Sequence, residues 1–183
     1  MAKKVLLILA EGFEEIEAVA PIDLLRRAGA EVSVAGLSGA VVRSARGLPI
    51  QAERSLDRVR GDFDALILPG VGDGARNLAA SAKVRSLILE MFQAGKWVCA
   101  ICAAPVLVLS PTGILDGKSA TCYRGMESGF GKSVKYAGQK VVVDGNVITS
   151  QGPGTAVDFA LAVIEKLCGK KESDRVREDI LAS

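Results

Sequence analysis

Residues 97–105 read Trp97-Val98-Cys99-Ala100-Ile101-Cys102-Ala103-Ala104-Pro105. The apolar run stops at a cysteine, and small residues and a proline follow at once, which is typical of a buried β-strand that turns sharply into a helix. A nucleophile on such a turn projects into a cleft near the N-terminus of the helix, where a thiol tends to ionise. The segment predicts that Cys102 is a reactive thiolate. The alternative is a buried, unreactive cysteine, because most free cysteines are small apolar core residues.

Apolar strand patterns flank this segment and alternate with helical patterns. We expect five main strands, at Lys4–Ala10, Glu31–Ala35, Asp64–Leu68, Trp97–Ile101 and Val147–Ser150. The intervening segments predict helices at 14–27, 75–79, 82–94, 103–109, 157–167 and 170–183. Strands that alternate with helices indicate one α/β domain over residues 1–183, with a mostly parallel sheet covered by helices on both faces.

Several smaller features complete the predicted fold. Pro21 lies inside the first helical pattern and is expected to kink the helix or split it in two. Residues 36–44 are expected to form a loop, and residues 48–52 and 119–122 short strands. Val134–Tyr136 and Lys140–Val143 are expected to form a hairpin-like pair.

Composition limits the possible functions. The chain has 183 residues, of which 23 are basic and 21 acidic, so the net charge of +2 gives no basis for nucleic-acid or membrane-surface binding. No apolar run approaches the roughly 18 residues that a membrane helix needs. The first apolar run is followed by glutamates without a cleavage site, which indicates a strand rather than a signal peptide. The four cysteines lack the spacing of a disulfide scaffold, and we therefore expect a cytoplasmic protein.

The chain contains no histidine. Catalysis by a Ser-His-Asp or Cys-His pair within the chain is therefore excluded. The commonest ligand for zinc and iron is also missing, and we expect no metal site and no cofactor. A catalytic base must then be Asp, Glu, Lys or Tyr, unless the substrate or solvent supplies it.

Four turns follow the carboxyl ends of the main strands, where the site of a parallel α/β fold lies. They are residues 11–17, 69–74, 102–105 and 151–155, and we expect them to form the walls of one pocket. The glycine-rich turn at 69–74 resembles a dinucleotide fingerprint only weakly, and it is better read as a source of backbone N–H groups for an oxyanion hole. One of Glu14, Glu15 and Glu17 can turn inward toward Cys102, while acids at a helix N-terminus are favoured in any case.

Cys99 and Cys102 form a C-x-x-C pair, but Cys99 lies inside the predicted strand. Three residues of extended chain span roughly 10 Å, beyond the roughly 7 Å Cα separation that a disulfide allows. A dithiol redox site at these two positions is therefore not expected.

Three motifs resemble a known family. They are Ala10-Glu11-Gly12-Phe13-Glu14-Glu15-Ile16-Glu17, Ala100-Ile101-Cys102-Ala103-Ala104-Pro105 and Thr149-Ser150-Gln151-Gly152-Pro153-Gly154-Thr155. In this order they are similar to the ThiJ/PfpI superfamily, and most closely to the branch that holds the parkinsonism-associated protein deglycase and bacterial YajL. The resemblance runs from about Lys4 to about Gly169 and implies a flavodoxin-like three-layer sandwich that forms a homodimer.

The resemblance also implies roles for individual residues. Cys102 is implied as an oxidation-sensitive nucleophile and Glu17 as the carboxyl that is hydrogen-bonded to it. Gly70, Val71 and Ala103 match positions that supply the oxyanion-hole amides. The positions that match family residues near the pocket or the dimer interface are Arg27, Arg46 and Cys122. Cys122 stands where the family often has a histidine, so a mechanism that needs histidine is lost.

Two functions remain open from the sequence. The first is a cofactor-free enzyme of glyoxalase or deglycase type that acts on methylglyoxal-like dicarbonyls or their early protein adducts. The second is a sensor of oxidative stress or a redox-regulated chaperone that works through oxidation of Cys102. A related hypothesis is that Cys122 resolves a Cys102 sulfenic acid into a disulfide.

Overall fold

The computed structural model describes residues 1–182, which form a seven-stranded sheet with helices on both sides. The strands are β1 Lys4–Leu9, β2 Glu31–Gly36, β3 Val41–Arg43, β4 Pro49–Gln51, β5 Arg54–Ser55, β6 Ala65–Leu68, β7 Trp97–Ile101, β8 Ser119–Ala120, β9 Lys135–Tyr136, β10 Val141–Asp144 and β11 Val147–Ser150. The α-helices are α1 Glu15–Arg27, α2 Gly72–Ala80, α3 Ala82–Gln93, α4 Ala156–Cys168 and α5 Lys170–Asp179. Residues Pro105–Leu109 form a short π-helix.

The central sheet has the order β10-β11-β7-β6-β1-β2-β5. All neighbouring strands are parallel except β10, which runs antiparallel to β11. Strands β1 and β6 are apolar and buried on both faces because helices cover both sides of the sheet. This architecture confirms the predicted α/β three-layer sandwich.

Two local predictions are wrong, and a third holds at most in part. Residues 36–44 are not all loop, since β3 pairs with β4 in a small antiparallel sheet. The predicted pairing of residues 134–136 with 140–143 does not occur, because β9 pairs in parallel with β8 while β10 pairs with β11. Of the two outcomes predicted for Pro21, a kink or a split, the split does not occur, since α1 is continuous over 13 residues. A single missing N–H donor is tolerated there because α1 packs along its length on α4 and β2.

Within residues 1–182, every helix falls short of the length and hydrophobicity needed to cross a bilayer. The last predicted helix ends at Asp179, and Ser183 lies outside the described residues. The sheet places the carboxyl ends of β1, β6, β7 and β11 side by side. The four turns singled out in the sequence therefore converge on one edge.

Candidate active site

Cys102 lies on a strained turn directly after the central strand β7. Its φ of 67° is in the left-handed region, which non-glycine residues rarely adopt. The turn is held by two backbone hydrogen bonds: Cys102 N–H donates to Ser150 O at 2.9 Å, and Tyr123 N–H donates to Cys102 O at 2.8 Å. Such strain persists only where the surrounding structure fixes it, and it is frequent at functional sites.

The glycine-rich turn after β6 packs directly on this elbow. A Cβ added to Gly70 would lie 2.5 Å from the Cβ of Cys102 and 2.5 Å from the carbonyl oxygen of Ile101, so only glycine fits. The next residue, Val71, also has a positive φ, of 69°. The close approach brings the backbone of the turn into contact with Cys102.

Glu17 is fully buried beneath the same elbow. Its Oε2 accepts a hydrogen bond from Gly70 N–H at 2.8 Å, and its own N–H is capped by Glu14 Oε2 at 2.9 Å. Oε1 has no partner with normal hydrogen-bond geometry, although the Cys102 thiol interacts with the carboxyl closely enough to affect the pKa of both groups. Glu17 is therefore the acid that turns inward, as the sequence pattern allowed.

The other two acids of this turn have structural partners. Glu14 is the N-cap of α1. Glu15 accepts hydrogen bonds from Ser44 Oγ and from Arg46 N–H, the latter at 2.9 Å. These contacts outweigh the effect of burial and lower the pKa of Glu15, whereas burial raises the pKa of Glu17.

Glu17 and Cys102 titrate as a coupled pair. Burial raises the pKa of Glu17 from 4.5 to about 7, and the Glu14 carboxylate adds to the rise. Burial and the Glu17 carboxylate raise the pKa of Cys102 to about 12. A helix N-terminus alone would instead lower the pKa of Cys102. The pKa rises because the residue is buried, only 4% exposed, and has an acid beside it. A proton on Glu17 removes that repulsion, so the thiolate is favoured only together with the neutral carboxyl.

Backbone N–H groups surround the sulfur. Those of Val71 and Ala103 donate toward Cys102 and oppose the rise of its pKa. The N–H of Gly70 is already bonded to Glu17, so it positions that carboxyl and is not free to face the pocket. Two of the three residues expected to supply oxyanion donors thus present their N–H groups at the nucleophile.

Cys102 opens into a pocket of about 470 Å³. All four turns contribute to its walls, with Glu14, Val71, Ala103 and Pro153 among the lining residues. Arg46 also lines the pocket. Arg27 does not, since it is exposed and pairs with Asp23 at 2.9 Å on α1.

Cys122 is fully buried and is not among the residues that line the pocket. Burial and the nearby Glu127 carboxylate raise the pKa of its thiol to about 11. Cys99 is also fully buried, and burial raises its pKa. All four cysteines are free in this structure.

One wall of the pocket was missed by sequence reasoning. Tyr123, Arg124, Gly125 and Met126 line it from the loop after β8. The loop has no regular periodicity, so its proximity to Cys102 follows only from the hydrogen bond between Tyr123 N–H and Cys102 O. The available signal was a tyrosine and an arginine directly before a glycine, Gly125.

Comparison with known proteins agrees with this geometry. A model of the DJ-1/PfpI family matches residues 3–166. Protein dj-1beta of Drosophila melanogaster is 42% identical over 186 residues, which cover 100% of this chain and 99% of that protein. The crystal structure of Drosophila DJ-1beta superimposes with a TM-score of 0.96 at 40% identity, with 100% of both chains covered.

Two further relatives bear on the site. The glutathione-independent glyoxalase DJR-1.2 of Caenorhabditis elegans is 36% identical over 176 residues, with 94% of both chains covered. The structure of oxidized Toxoplasma gondii DJ-1 has a TM-score of 0.94 at 37% identity and covers 98% of both chains. The fold, the elbow cysteine and these matches over the full length together show that the chain belongs to the DJ-1/PfpI family.

Proposed function

We propose that this protein is a cofactor-free enzyme of glyoxalase type that converts methylglyoxal-like dicarbonyls into hydroxy acids. The observation that carries the proposal is the pairing of Cys102 with a buried carboxyl whose pKa is about 7. Such a group exchanges protons readily at neutral pH, which is the property required of a general acid and base. The glutathione-independent glyoxalase among the relatives supports the same reaction class.

Cys102 adds to the aldehyde carbon of methylglyoxal. A carbon–sulfur bond forms while the thiol proton passes through the Glu17 carboxyl to the aldehyde oxygen, which gives a hemithioacetal and leaves Glu17 as a carboxylate. The N–H groups of Val71 and Ala103 stabilise negative charge on this oxygen as the bond forms.

Glu17 then moves a proton between the two carbons. It removes the proton from the former aldehyde carbon to give an enediolate and returns it to the former ketone carbon. The hydroxyl proton on the former aldehyde oxygen shifts to the former ketone oxygen, which leaves a thioester. Water hydrolyses the thioester to lactate and restores the thiol. The aldehyde carbon is oxidised and the ketone carbon is reduced, so the reaction consumes only water and needs no external electron acceptor.

Early adducts of glyoxals on proteins or amino acids are a second substrate class for the same chemistry. The adduct is a hemithioacetal or hemiaminal that releases the dicarbonyl to Cys102. Measuring free amine or thiol recovered from a glycated peptide, beside lactate, separates true deglycation from removal of free methylglyoxal.

The first experiment measures lactate formed from methylglyoxal by the wild type and by the variants Glu17→Gln and Cys102→Ser. We expect Glu17→Gln to lose about 10²-fold to 10⁴-fold in kcat, the size of a lost acid–base group. Cys102→Ser, which lacks the nucleophilic sulfur, should lose at least as much. Cys168→Ser is the matched control because this half-buried cysteine lies at the end of α4. Alkylation of Cys102 by iodoacetamide should persist in Glu17→Gln, which shows that the loss is in proton transfer. A wild type without turnover would refute the proposal.

A redox role is the second candidate, and the oxidized state of the Toxoplasma relative favours it. The N–H groups of Val71 and Ala103 would stabilise a sulfinate on Cys102 as they stabilise an oxyanion. If the wild type makes no lactate while peroxide switches on suppression of aggregation, and Cys102→Ser abolishes the switch, the sensor or chaperone function replaces the enzyme.

The homodimer and the cytoplasmic location stay predictions. Ile16 and Val19 on α1 are 53% and 45% exposed, and Arg27 ends the same helix. Such an apolar face beside the site is consistent with a subunit interface. Sedimentation of the wild type and of Val19→Glu tests it, since a charge at the centre of an interface shifts the protein toward the monomer.

A further inference from the structure

A second cavity adjoins the Cys102 pocket. It measures about 330 Å³ and is lined by Tyr136, Gln151, Gly154 and Thr155 together with Tyr123, Arg124 and Pro153. The last three residues also line the Cys102 pocket, so the two cavities meet along them. We call the second cavity the outer chamber.

Tyr123 is fixed between the two cavities. Its N–H is bonded to Cys102 O, and its ring lies on the backbone of Gly152, where an added Cβ would be 3.2 Å from the Cδ2 atom of the ring. The backbone of Tyr123 is therefore held by the elbow, while its ring lies against the turn after β11. A molecule that reacts at Cys102 and extends past Tyr123 enters the outer chamber.

The junction is positively charged. Arg124 forms no ion pair or hydrogen bond with any part of the chain that the structure describes. Glu127, on the same loop, is close enough to Cys122 to raise its pKa but does not pair with Arg124. The one acid that lines the Cys102 pocket, Glu14, uses Oε2 to cap α1. An anion bound at the junction of the two cavities would therefore face the guanidinium of Arg124, which no carboxylate of the described residues pairs with.

The outer chamber also offers neutral donors. The hydroxyl groups of Tyr123 and Tyr136 have no protein partner among residues 1–182 and are half exposed. A guanidinium with adjacent hydroxyl donors suits a carboxylate, since charge-assisted hydrogen bonds are roughly twice as strong as neutral ones. Methylglyoxal carries no charge and is far smaller than the ligands that fill pockets of about 300–1,000 Å³.

We propose that Arg124 and the outer chamber bind the carboxylate of a larger substrate, a 2-oxoaldehyde with an acid group at the far end of its carbon chain. The inference rests on the proposed function for the chemistry at Cys102, and it assigns specificity to Arg124. The simplest such compound is 4,5-dioxopentanoate. Its aldehyde carbon adds to Cys102, the proton shift oxidises that carbon and reduces its neighbour, and water releases 2-hydroxyglutarate. One molecule of water is gained, and no oxidant or reductant is consumed.

The test compares kcat/KM for 4,5-dioxopentanoate, for its neutral methyl ester and for methylglyoxal. We expect the wild type to prefer the acid over the ester by about tenfold, the effect of one hydrogen bond to a charged group. Arg124→Gln should remove this preference by lowering kcat/KM for the acid to the level of the ester. Lys132→Gln, which removes the same charge from the following loop segment outside both cavities, should keep the preference.

Three kinetic results would overturn the inference. The first is an equal kcat/KM for the acid and the ester in the wild type. The second is an equal loss of kcat/KM on all three substrates in Arg124→Gln. The third is loss of the acid preference in Lys132→Gln as well, which would mark an effect of net charge alone.

A binding measurement separates this inference from the proposed enzyme. 2-Hydroxyglutarate should protect Cys102 from alkylation by iodoacetamide in the wild type but not in Arg124→Gln, and lactate should protect neither protein. If methylglyoxal is not turned over but this protection is seen, the proposed function fails and the carboxylate site stands. If methylglyoxal is turned over and 2-hydroxyglutarate does not protect, the site fails and the enzyme stands.

Discussion

Replacing Glu17 by glutamine should stabilise the protein at high pH and have little effect at low pH. The carboxyl is fully buried, accepts a hydrogen bond from Gly70 N–H and keeps one oxygen without a well-aligned partner. Glutamine has the same shape, retains an acceptor for Gly70 and carries no charge. The substitution therefore removes the cost of burying a carboxylate and little else.

The magnitude follows from the two pKa values of Glu17. The group has a pKa of about 7 in the folded protein and 4.5 in an ordinary environment. Between these values the folded state binds more protons than the unfolded state, so stability falls as pH rises. At about 1.4 kcal/mol per pH unit, the wild type loses about 3 kcal/mol between pH 4.5 and pH 7. Glu17→Gln does not undergo this loss, and its advantage should be about 3 kcal/mol at pH 8.

Urea denaturation of the wild type and Glu17→Gln, at pH 5 and pH 8 and at one protein concentration, measures the difference. Glu15→Gln is a control of opposite sign, because hydrogen bonds lower the pKa of Glu15 and its carboxylate stabilises the fold at high pH. That variant should be destabilised to nearly the same extent at pH 8 and pH 5, because both lie above the ordinary pKa of 4.5 and the contribution of Glu15 is lost only at lower pH. A stability difference between the wild type and Glu17→Gln that does not change with pH would refute the linkage between burial and proton uptake at Glu17.

Further predictions concern the elbow and its cysteines. Gly70→Ala places a Cβ 2.5 Å from the Cβ of Cys102. This overpacking should lower the free energy of unfolding by about 1–3 kcal/mol and reduce turnover. The control Gly39→Ala meets nothing within 4 Å, so its denaturation curve and activity should be nearly those of the wild type. Peroxide should give sulfinic acid on Cys102 without a Cys102–Cys122 disulfide, because Cys122 is fully buried and its pKa is raised to about 11; non-reducing peptide mapping that recovers the linked peptides would contradict this. Iodoacetamide should label Cys102 far faster than Cys99 in the folded protein, because of these two cysteines only Cys102 opens into the pocket. Equal labelling of the two cysteines in mass spectra would contradict the position of Cys102 at the pocket.

The sequence predicted those features that depend on patterns along the chain. Strands β7 and β11 were placed with correct bounds, because continuous apolar runs bounded by turn residues are typical of buried parallel strands. The absence of histidine directed attention to carboxyls, and the acidic turn after β1 supplied three candidates. β1 is separated from β7 by β6 in the sheet, and the choice of Glu17 among the three acids came from the family resemblance.

What could not be predicted depends on contacts between distant segments. The partner of β9 is β8, and neither two-residue strand has enough periodicity to indicate pairing. The hydrogen bond from Gly70 N–H to the Glu17 carboxyl depends on the direction in which the Glu17 side chain points after folding. The pocket wall at residues 123–126 has no regular structure, so only the bond from Tyr123 N–H to Cys102 O places it.

The raised pKa of Glu17 explains how a chain without histidine can carry out proton transfer at neutral pH. An exposed carboxyl has a pKa near 4 and is too weak a base for this work, whereas an imidazole has a pKa near 6.5. Burial brings Glu17 to about 7. The same burial would leave Cys102 as a thiol if Glu17 remained charged, so the proposed mechanism requires the state in which one proton has moved from sulfur to carboxyl. The Gly70 N–H holds Glu17 in position for that transfer, and the N–H groups of Val71 and Ala103 favour the thiolate that results.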